Sequence, residues 1–310
     1  MRRLSADVVV VGGGTTGVGV VRDLALRGYQ AVLLDRADLA QGTSGRFHGL
    51  LHSGGRYVVS DPESGRECAQ ENAIIRRIQP SAVEPTGGLF VVLQDDPDPT
   101  WPDQFVAGAA QAQVPIEEIT VAQALRWEPR LNPAITRAFR VEDASVDGWQ
   151  IAWTAAHSAR QQGAQILTYT EATAIHQSGG QVSAVAALDR KTGEEVIVEC
   201  GFVLNCAGPW AGRVAELAGC QPVNVVPGRG IMVAVNRYTN VCLNRCIKPS
   251  DGDLLVPSHG VSIMGTTDVR AADPDQLEIP RSEVQQMMDS AELLAPGFRQ
   301  ARCLHVWSGA

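Results

Sequence analysis

The chain has 310 residues, of which 45% are hydrophobic, and this is enough to bury the core of one large domain or of two ordinary ones. Its formal net charge of -8 argues against nucleic acid and anionic lipid as main partners, since both select for spread positive charge. An anionic substrate would therefore need a local cluster of arginines.

A β-α-β unit is predicted at the start of the chain. Residues 6–11 are mostly β-branched, which is typical of a strand buried on both sides in a parallel sheet. Apolar residues recur at helical spacing over residues 15–26, and Gly28 follows where a helix end favours positive φ. Residues 30–34 have the pattern of a second strand. The segment 42–55, rich in glycine, serine and histidine, then predicts a long functional loop.

The rest of the chain alternates helices and strands and ends in short strands separated by turns. Helices are predicted at 69–78, 149–160 and 281–294. Strands are predicted at 88–93, 165–169, 182–188, 195–200, 202–206, 231–235, 253–256 and 261–265, with an exposed turn at 95–99. This order predicts a nucleotide-binding domain (1–80, 143–225 and 303–310) interrupted twice by a mostly antiparallel substrate domain (81–142 and 226–302).

The first turn carries the pattern Gly-x-Gly-x-x-Gly in its required setting between a buried strand and a helix. Gly12 permits the tight turn, Gly14 lets a pyrophosphate approach the helix N-terminus, and Gly17 lets the helix pack close to the strand. Asp35 ends the second strand, where it could accept from a ribose hydroxyl. The alternatives are a glycine-rich turn without ligand and a solvated carboxylate. The cofactor-binding candidates of this unit are Gly12, Gly14, Thr15, Thr16, Gly17, Asp35 and Arg36.

Cysteine use and apolar runs bear on the compartment. The cysteines, at 68, 200, 206, 220, 242, 246 and 303, are odd in number and form no Cys-x-x-Cys, which predicts reduced thiols in a cytoplasmic protein. The first apolar run is too short for a signal peptide, and no apolar stretch reaches the roughly 18 residues of a membrane span. The sequence therefore predicts no direct membrane span, and a membrane link would come through a partner.

The segment 42–57 resembles the corresponding segment of a known protein family. Together with segments 66–68, 84–90, 205–208, 244–251 and 265–268, it resembles the FAD-dependent glycerol-3-phosphate dehydrogenases, and among them the catalytic A subunit of the anaerobic enzyme. The resemblance covers essentially the whole chain. It implies an α/β fold: a Rossmann-like FAD-binding domain of the glutathione-reductase type with an inserted, mostly antiparallel α+β substrate domain, as in the D-amino-acid-oxidase group.

The resemblance also implies a cofactor, FAD, and a substrate, sn-glycerol 3-phosphate. It implies further cofactor-binding residues at Thr43, Ser44, His48, Gly49, Leu50, Ala207 and Gly208. It implies that His52, Arg56 and Tyr57 lie at the flavin and the substrate. Electrons would pass to a respiratory quinone through two partners, a membrane iron–sulfur anchor subunit and a second flavin subunit. These partners would hold the chain at the inner face of the plasma membrane.

The chemistry of these side chains suits that reaction. A secondary alcohol loses hydride from C2 while a base takes the hydroxyl proton, and His52 is the candidate base; its alternative is a structural histidine. Arg56 offers a planar fork for a phosphate, and its alternative is a surface ion pair. His48 is expected to shape the loop. Lys248 and Arg245 are either further pocket charges or solvated ones.

Other notable residues have simpler explanations. Cys242 and Cys246 have no histidine nearby, so no metal site is predicted and they are expected to be small buried apolar side chains. Trp149 and Trp153 share one helix face and are expected to pack in the core.

The chain departs from the family pattern at Ala310. The family continues into Arg-Pro-Leu, a glycine-rich segment and a cysteine-rich iron–sulfur module, so we expect the chain to be a fragment. A noncatalytic FAD-binding fragment is thus one alternative, and an amine or amino-acid oxidase of the same fold group is another. An NAD-linked dehydrogenase is disfavoured by the segment after Asp35.

Overall fold

The computed structural model describes residues 1–221 and 223–310. The described residues form the α-helices α1 (Thr15–Leu26), α2 (Pro62–Ile78), α3 (Trp101–Ala112), α4 (Val121–Trp127), α5 (Gly148–Gln161), α6 (Ala211–Glu216) and α7 (Arg281–Leu294). The strands of the first half are β1 (Arg2–Ser5), β2 (Val8–Val11), β3 (Ala31–Leu34), β4 (Leu50–Leu51), β5 (Val83–Glu84), β6 (Gly88–Leu93), β7 (Ile116–Ile119), β8 (Ile135–Val141) and β9 (Ala144–Val146). Those of the second half are β10 (Gln165–Leu167), β11 (Thr170–Ser178), β12 (Gln181–Asp189), β13 (Glu195–Glu199), β14 (Phe202–Asn205), β15 (Gly228–Asn236), β16 (Cys242–Arg245), β17 (Leu254–Ser258), β18 (Val261–Gly265), β19 (Val269–Arg270) and β20 (Cys303–Gly309).

A parallel sheet, in the order β10-β3-β2-β14, forms the centre of the predicted nucleotide-binding region. Every residue of β2 and β3 is buried, because layers cover both faces of the sheet. Helices α1 and α5 cover one face with a small-residue core that includes Val18, Val21 and Ala156. The sheet β1-β13-β12-β11 covers the other face, with Val185 and Val198 in the shared core. The predicted β-α-β unit and the hairpin of β12 and β13 are confirmed.

A large mixed sheet, in the order β19-β15-β18-β17-β16-β6-β8-β7, forms the second region, and β20 also pairs with β15. Most of its pairings are antiparallel, with β16 and β6 parallel. Helices α4 and α7 and the turn at Phe298 cover one face, and α3 covers the other with Phe105 against Phe90 and Phe139. This layering confirms the predicted fold class, a Rossmann-like domain with a second, mostly antiparallel α+β region.

Residues 303–310 differ from their sequence-based assignment. They were predicted to belong to the FAD-binding domain, but β20 pairs along its length with β15 of the large sheet. Val306 packs on the core that α7 covers, and Trp307 packs on a separate cluster with Met232. The division of the chain into 1–80, 143–225 and 81–142, 226–302 stays a prediction.

A small sheet, β4-β9-β5, ties the glycine-rich loop to the rest of the molecule. Leu50 of β4 is buried against Cys242, Leu254 and Val256, so the loop is anchored on the large sheet. The segment that follows Leu51 therefore has a fixed position between the two main sheets.

Three local predictions need correction. The helix predicted at 69–78 is confirmed, but α2 begins earlier, at Pro62, because the Asp61 side chain accepts from the Ser64 amide and caps the helix. The turn at 95–99 is not wholly exposed, since the Asp96 side chain is 3% exposed and pairs with Arg245.

The two tryptophans of α5 form the third case. Trp149 and Trp153 are 47% and 41% exposed and stack on each other, with ring centroids 5.8 Å apart. The alanines of the same helix face α1 instead, because only small side chains let the two helices approach closely. No helix of the described residues combines the length and the apolar character needed to cross a membrane.

Candidate functional site

The carboxyl ends of β2, β3 and β14 open into a cleft of about 660 Å³, which we call the nucleotide cleft. Ligands bind at this edge of open parallel sheets because the strand order reverses there. The walls of the cleft are formed by residues 11–16, 34–37, 41–44, 46, 170–172, 206–210, 213, 214, 217, 274 and 275. These include the candidates Gly12, Gly14, Thr15, Thr16, Asp35, Arg36, Thr43, Ser44, Ala207 and Gly208.

The glycines of the first turn have distinct steric reasons. Gly12 has φ of +113°, and a Cβ there would lie 2.4 Å from the carbonyl oxygen of Cys206. A Cβ on Gly17 would lie 1.8 Å from the Gly12 carbonyl oxygen, so Gly17 allows α1 to pack against the turn. A Cβ on Gly14 would lie 3.0 Å from Ser44 Oγ. The geometry leaves backbone exposed at the α1 N-terminus, which suits a diphosphate.

Asp35 organises this turn from the end of β3. One carboxylate oxygen accepts from the Gly13 amide at 2.6 Å, and the other accepts from the Ala37 amide at 2.7 Å. Burial raises the pKa of Asp35 above its ordinary value. Across the cleft, Ser44 Oγ accepts from the Thr15 amide at 2.9 Å. These bonds fix the loop and the strand end on the two sides of the nucleotide cleft.

A clasp closes one side of the nucleotide cleft. Asp275, from the loop between β19 and α7, accepts from Arg36 at 2.7 Å, from Trp210 Nε1 at 2.9 Å and from Arg213 at 2.5 Å. The Arg36 guanidinium also lies over the Trp210 ring, 4.6 Å from its centroid. Asp273 accepts a second bond from Arg213 at 2.7 Å. The sequence did not reveal this clasp, because its members lie far apart along the chain.

A second cavity of about 470 Å³ adjoins the nucleotide cleft, and the two share Thr43 and Arg46. Its walls are formed by residues 43, 46–48, 56, 228–230, 232, 249–251, 266–268, 309 and 310. Both His48 and Arg56 line it. The remaining candidates lie outside both cavity walls. Gly17 packs against the Gly12 carbonyl group, the Gly49 carbonyl oxygen accepts from the Val146 amide, and the Leu50 side chain is buried in the core.

His48, His52 and Tyr57 form a row of rings behind the second cavity. The centroids of His48 and His52 are 6.0 Å apart, and those of His52 and Tyr57 are 5.6 Å apart. Among the described residues, His48 and Arg56 line this cavity, whereas His52 and Tyr57 do not. Of the three rings, His48 is therefore the one at the cavity wall.

Burial lowers the pKa of both histidines, to about 3 for His48 and about 4 for His52, and the nearby Arg56 adds to each effect. Both rings are therefore neutral near pH 7. His48 Nδ1 accepts from the Leu50 amide at 3.1 Å, so the neutral ring carries its proton on Nε2. His48 is thus arranged to donate a hydrogen bond, while among the described residues no such bond sets the tautomer of His52.

Arg56 forms a partly buried ion pair. Its Nη1 lies 2.5 Å from Asp253, whose side chain is 3% exposed, while the Arg56 side chain is 22% exposed. Asp253 also accepts from the Ser250 amide at 2.8 Å and so joins Arg56 to the loop after β16. Arg245, the suggested further pocket charge, is instead paired with Asp96.

Polar side chains behind His52 hold its backbone. Asn72 Nδ2 donates to the His52 carbonyl oxygen at 3.1 Å. The buried Asp143 accepts from the Ser53 amide at 2.7 Å and from Asn244 at 3.0 Å, and burial raises its pKa. Sequence patterns gave no sign of these residues, because a lone asparagine inside a helix is usually solvated.

The cysteine pair is apolar in environment, as predicted. Cys242 and Cys246 are both buried, and burial raises the pKa of each thiol, to about 12 for Cys246. They lie in separate core clusters. In the part of the chain that the structure describes, no three His, Cys, Asp or Glu side chains are grouped to hold a metal ion.

Comparison with known proteins identifies the family. Residues 7–310 match the family described as DAO, FAD dependent oxidoreductase. The chain belongs to this family. FAD is therefore its cofactor, as predicted, and an NAD-linked dehydrogenase is no longer an alternative.

The relatives are consistent with the predicted resemblance. The chain is 39% identical over 308 residues to the A subunit of the anaerobic glycerol-3-phosphate dehydrogenase of Escherichia coli strain K12, covering 98% of this chain and 56% of that protein. It is 38% identical over 315 residues to the A1 subunit of the Haloferax volcanii enzyme, covering 98% and 53%. The resemblance to the A subunit of the anaerobic enzyme is confirmed. The flavoprotein chain spans about half the length of these curated relatives.

Solved structures share the fold. The glycerol-3-phosphate dehydrogenase from Bacillus halodurans complexed with FAD aligns with a TM-score of 0.74 and 22% identity, covering 98% of this chain and 56% of that one. L-proline dehydrogenase from P. horikoshii aligns with a TM-score of 0.82 and 20% identity, covering 100% and 82%. At these identities the comparison supports the fold alone.

Proposed function

We propose that the chain oxidises sn-glycerol 3-phosphate to dihydroxyacetone phosphate, with FAD as the acceptor of a hydride from C2. The observation that carries this proposal is the second cavity, which brings arginine and histidine side chains to the end of the nucleotide cleft. The printed names of the relatives in Escherichia coli and Haloferax volcanii support the same substrate.

Binding of a phosphate in this acidic chain requires local positive charge. Arg56 reaches the cavity wall with its fork held by Asp253, and Arg229 lines the same cavity while pairing with Glu283 at 2.5 Å. Because each guanidinium has more donors than its carboxylate uses, the remaining N–H groups can contact a phosphate. We propose Arg56 as a phosphate contact.

Proton removal is assigned to the histidine row. When bound, FAD supplies the hydride acceptor at N5. We propose the neutral His52 as the base for the hydroxyl proton, and because His52 does not line the second cavity, this role requires the substrate hydroxyl to reach past His48. His48 Nε2–H would donate to a substrate oxygen in the cavity. Tyr57 packs on His52 and limits its movement. The roles of His52, Arg56 and Tyr57 are proposals, as are the contacts of the cofactor candidates to FAD.

Anaerobic titration tests the reaction. The purified chain is loaded with FAD, and the flavin absorption bands are followed while sn-glycerol 3-phosphate, glycine or L-proline is added. Bleaching by sn-glycerol 3-phosphate alone supports the proposal. Bleaching by an amino acid instead supports the amino-acid oxidase alternative, and bound FAD that no substrate reduces supports the noncatalytic fragment. Either of these two results contradicts the proposal for this chain.

We also propose partners and a location. The relatives are named as A subunits, which supports assembly with further subunits. We propose that electrons pass to a respiratory quinone through a membrane iron–sulfur anchor subunit and a second flavin subunit, at the inner face of the plasma membrane. Menaquinone reduction dependent on sn-glycerol 3-phosphate, measured in membranes with and without this chain, tests the proposal. Equal rates in both membranes would reject it.

A further inference from the structure

Arg46 lies where the nucleotide cleft and the second cavity meet, and it lines both. It follows the 3-10 turn Thr43–Gly45, and its carbonyl oxygen accepts from Trp307 Nε1 at 3.0 Å. Gly309 packs so closely that a Cβ there would lie 2.9 Å from the same oxygen. The backbone of Arg46 is therefore fixed against β20, while its side chain is exposed towards the cavities.

The pairing of the cavity arginines singles out Arg46. Arg36 and Arg213 pair with Asp275, Arg56 pairs with Asp253, and Arg229 pairs with Glu283. Over residues 1–221 and 223–310, no carboxylate lies within ion-pairing distance of the Arg46 guanidinium, nor does its side chain have a hydrogen-bond partner there. Within this part of the chain, Arg46 is thus the cavity arginine without an ion pair, although Asp251 and Asp268 also line the second cavity.

We infer that Arg46 binds a phosphate group at the junction of the two cavities. An uncompensated guanidinium gains more from an incoming anion than one that already holds a carboxylate, because no existing ion pair must be weakened. Two phosphates can reach this junction: the diphosphate of FAD from the cleft, and the phosphate of the substrate from the second cavity. The second source rests on the proposed function, and the first rests on the family alone.

Two variants and one control test the inference. Arg46→Gln removes the charge, and Arg46→Lys keeps it without the planar fork. Arg77→Gln is the control, since Arg77 is an exposed arginine of α2 that lines neither cavity. The dissociation constant for FAD is measured by quenching of flavin fluorescence. Those for sn-glycerol 3-phosphate and for inorganic phosphate are measured from flavin difference spectra, and thermal melting checks that each variant is folded.

We expect Arg46→Gln to weaken binding of a phosphate ligand by about tenfold, the effect of losing one hydrogen bond to a charged group. Arg46→Lys should recover part of this loss, and Arg77→Gln should show none. A loss confined to FAD assigns Arg46 to the cofactor diphosphate. A loss confined to sn-glycerol 3-phosphate and inorganic phosphate assigns it to the substrate.

Unchanged binding of all three ligands in Arg46→Gln would overturn the inference. This outcome is distinct from failure of the proposed function. If sn-glycerol 3-phosphate does not reduce the flavin of the unaltered chain, the proposed function fails, yet the FAD and inorganic phosphate measurements still decide the role of Arg46.

Discussion

The contribution of Arg56 to the stability of the fold can be measured separately from its contribution to substrate binding. Arg56→Met removes the guanidinium and leaves the Asp253 carboxylate, which is 3% exposed, without its cationic partner. Breaking a fully buried pair costs about 3 to 5 kcal/mol. Arg56 is 22% exposed and Asp253 keeps the Ser250 amide, so we expect about 2 kcal/mol lost from the free energy of unfolding.

The double variant Arg56→Met/Asp253→Asn isolates the functional part. A neutral asparagine needs no cation, so most of the lost stability should return, while the affinity for sn-glycerol 3-phosphate should stay at least about tenfold weaker. Urea unfolding measures the first quantity, and anaerobic flavin bleaching measures the second. Arg237→Met is the matched control, because Arg237 pairs with Glu84 outside both cavities. Recovery of full substrate affinity in the double variant would show that Arg56 serves only the ion pair.

Three further changes test the fold and the cleft. Gly17→Ala should lower the free energy of unfolding by about 2 kcal/mol and weaken FAD binding, because its Cβ would lie 1.8 Å from a carbonyl oxygen of the first turn. Gly19→Ala is the control, since a Cβ there would have nothing within 4 Å. Equal melting temperatures of the two variants would contradict this prediction. Asp275→Asn should speed release of FAD severalfold in a fluorescence-recovery assay, since it weakens the bonds to both clasp arginines; an unchanged rate would show that the clasp does not retain the cofactor. Replacing Trp149 and Trp153 together by serine should change the free energy of unfolding by less than about 1 kcal/mol, whereas a core pair would cost several times more, as urea unfolding would reveal.

Local patterns predicted the parts of the fold that depend on near neighbours. The turn from Gly12 to Gly17 was predictable because its glycines, the strand before them and the helix after them lie within one short segment. The helices α1 and α7 were predicted with the bounds that the structure has, since their apolar spacing is regular. The position of Asp35 followed from the same unit.

Long-range pairings were not predictable from a single sequence. Asp275 is 239 residues from Arg36, and nothing in its own loop indicates that it closes the nucleotide cleft. The pair Arg229 and Glu283 likewise joins a strand to a distant helix. The prediction that the tryptophans of α5 pack in the core failed for a local reason. Helical spacing shows that two side chains share a face, but it does not show which face is buried. Arg46 lies within the segment 42–57, but no sequence pattern offered a reason to select it. It differs from the other cavity arginines because each of those forms an ion pair.

Because the pKa of His52 is lowered in the folded chain, stability and catalysis should depend on pH over different ranges. His52 has a pKa of about 4 in the folded chain against 6.5 when unfolded, so the unfolded chain binds the extra proton as the pH falls. Stability from this group is therefore fully present above pH 6.5 and is lost towards pH 4, by roughly 3 kcal/mol at 1.36 kcal/mol per unit.

Catalysis should respond at a lower pH than stability. The base stays unprotonated down to its folded pKa, so flavin reduction at saturating substrate should show no inflection from His52 between pH 8 and pH 5. Buried carboxylates such as Asp143 act on stability in the opposite direction, since burial raises the pKa, and they are common to all variants. The difference in urea unfolding between the unaltered chain and His52→Gln, measured from pH 7 to pH 5, therefore isolates the histidine. A difference that does not change with pH would show that His52 is not held neutral by burial. An inflection near pH 6.5 in the reduction rate, absent from His52→Gln, would mean that the loaded site raises the pKa back to its ordinary value.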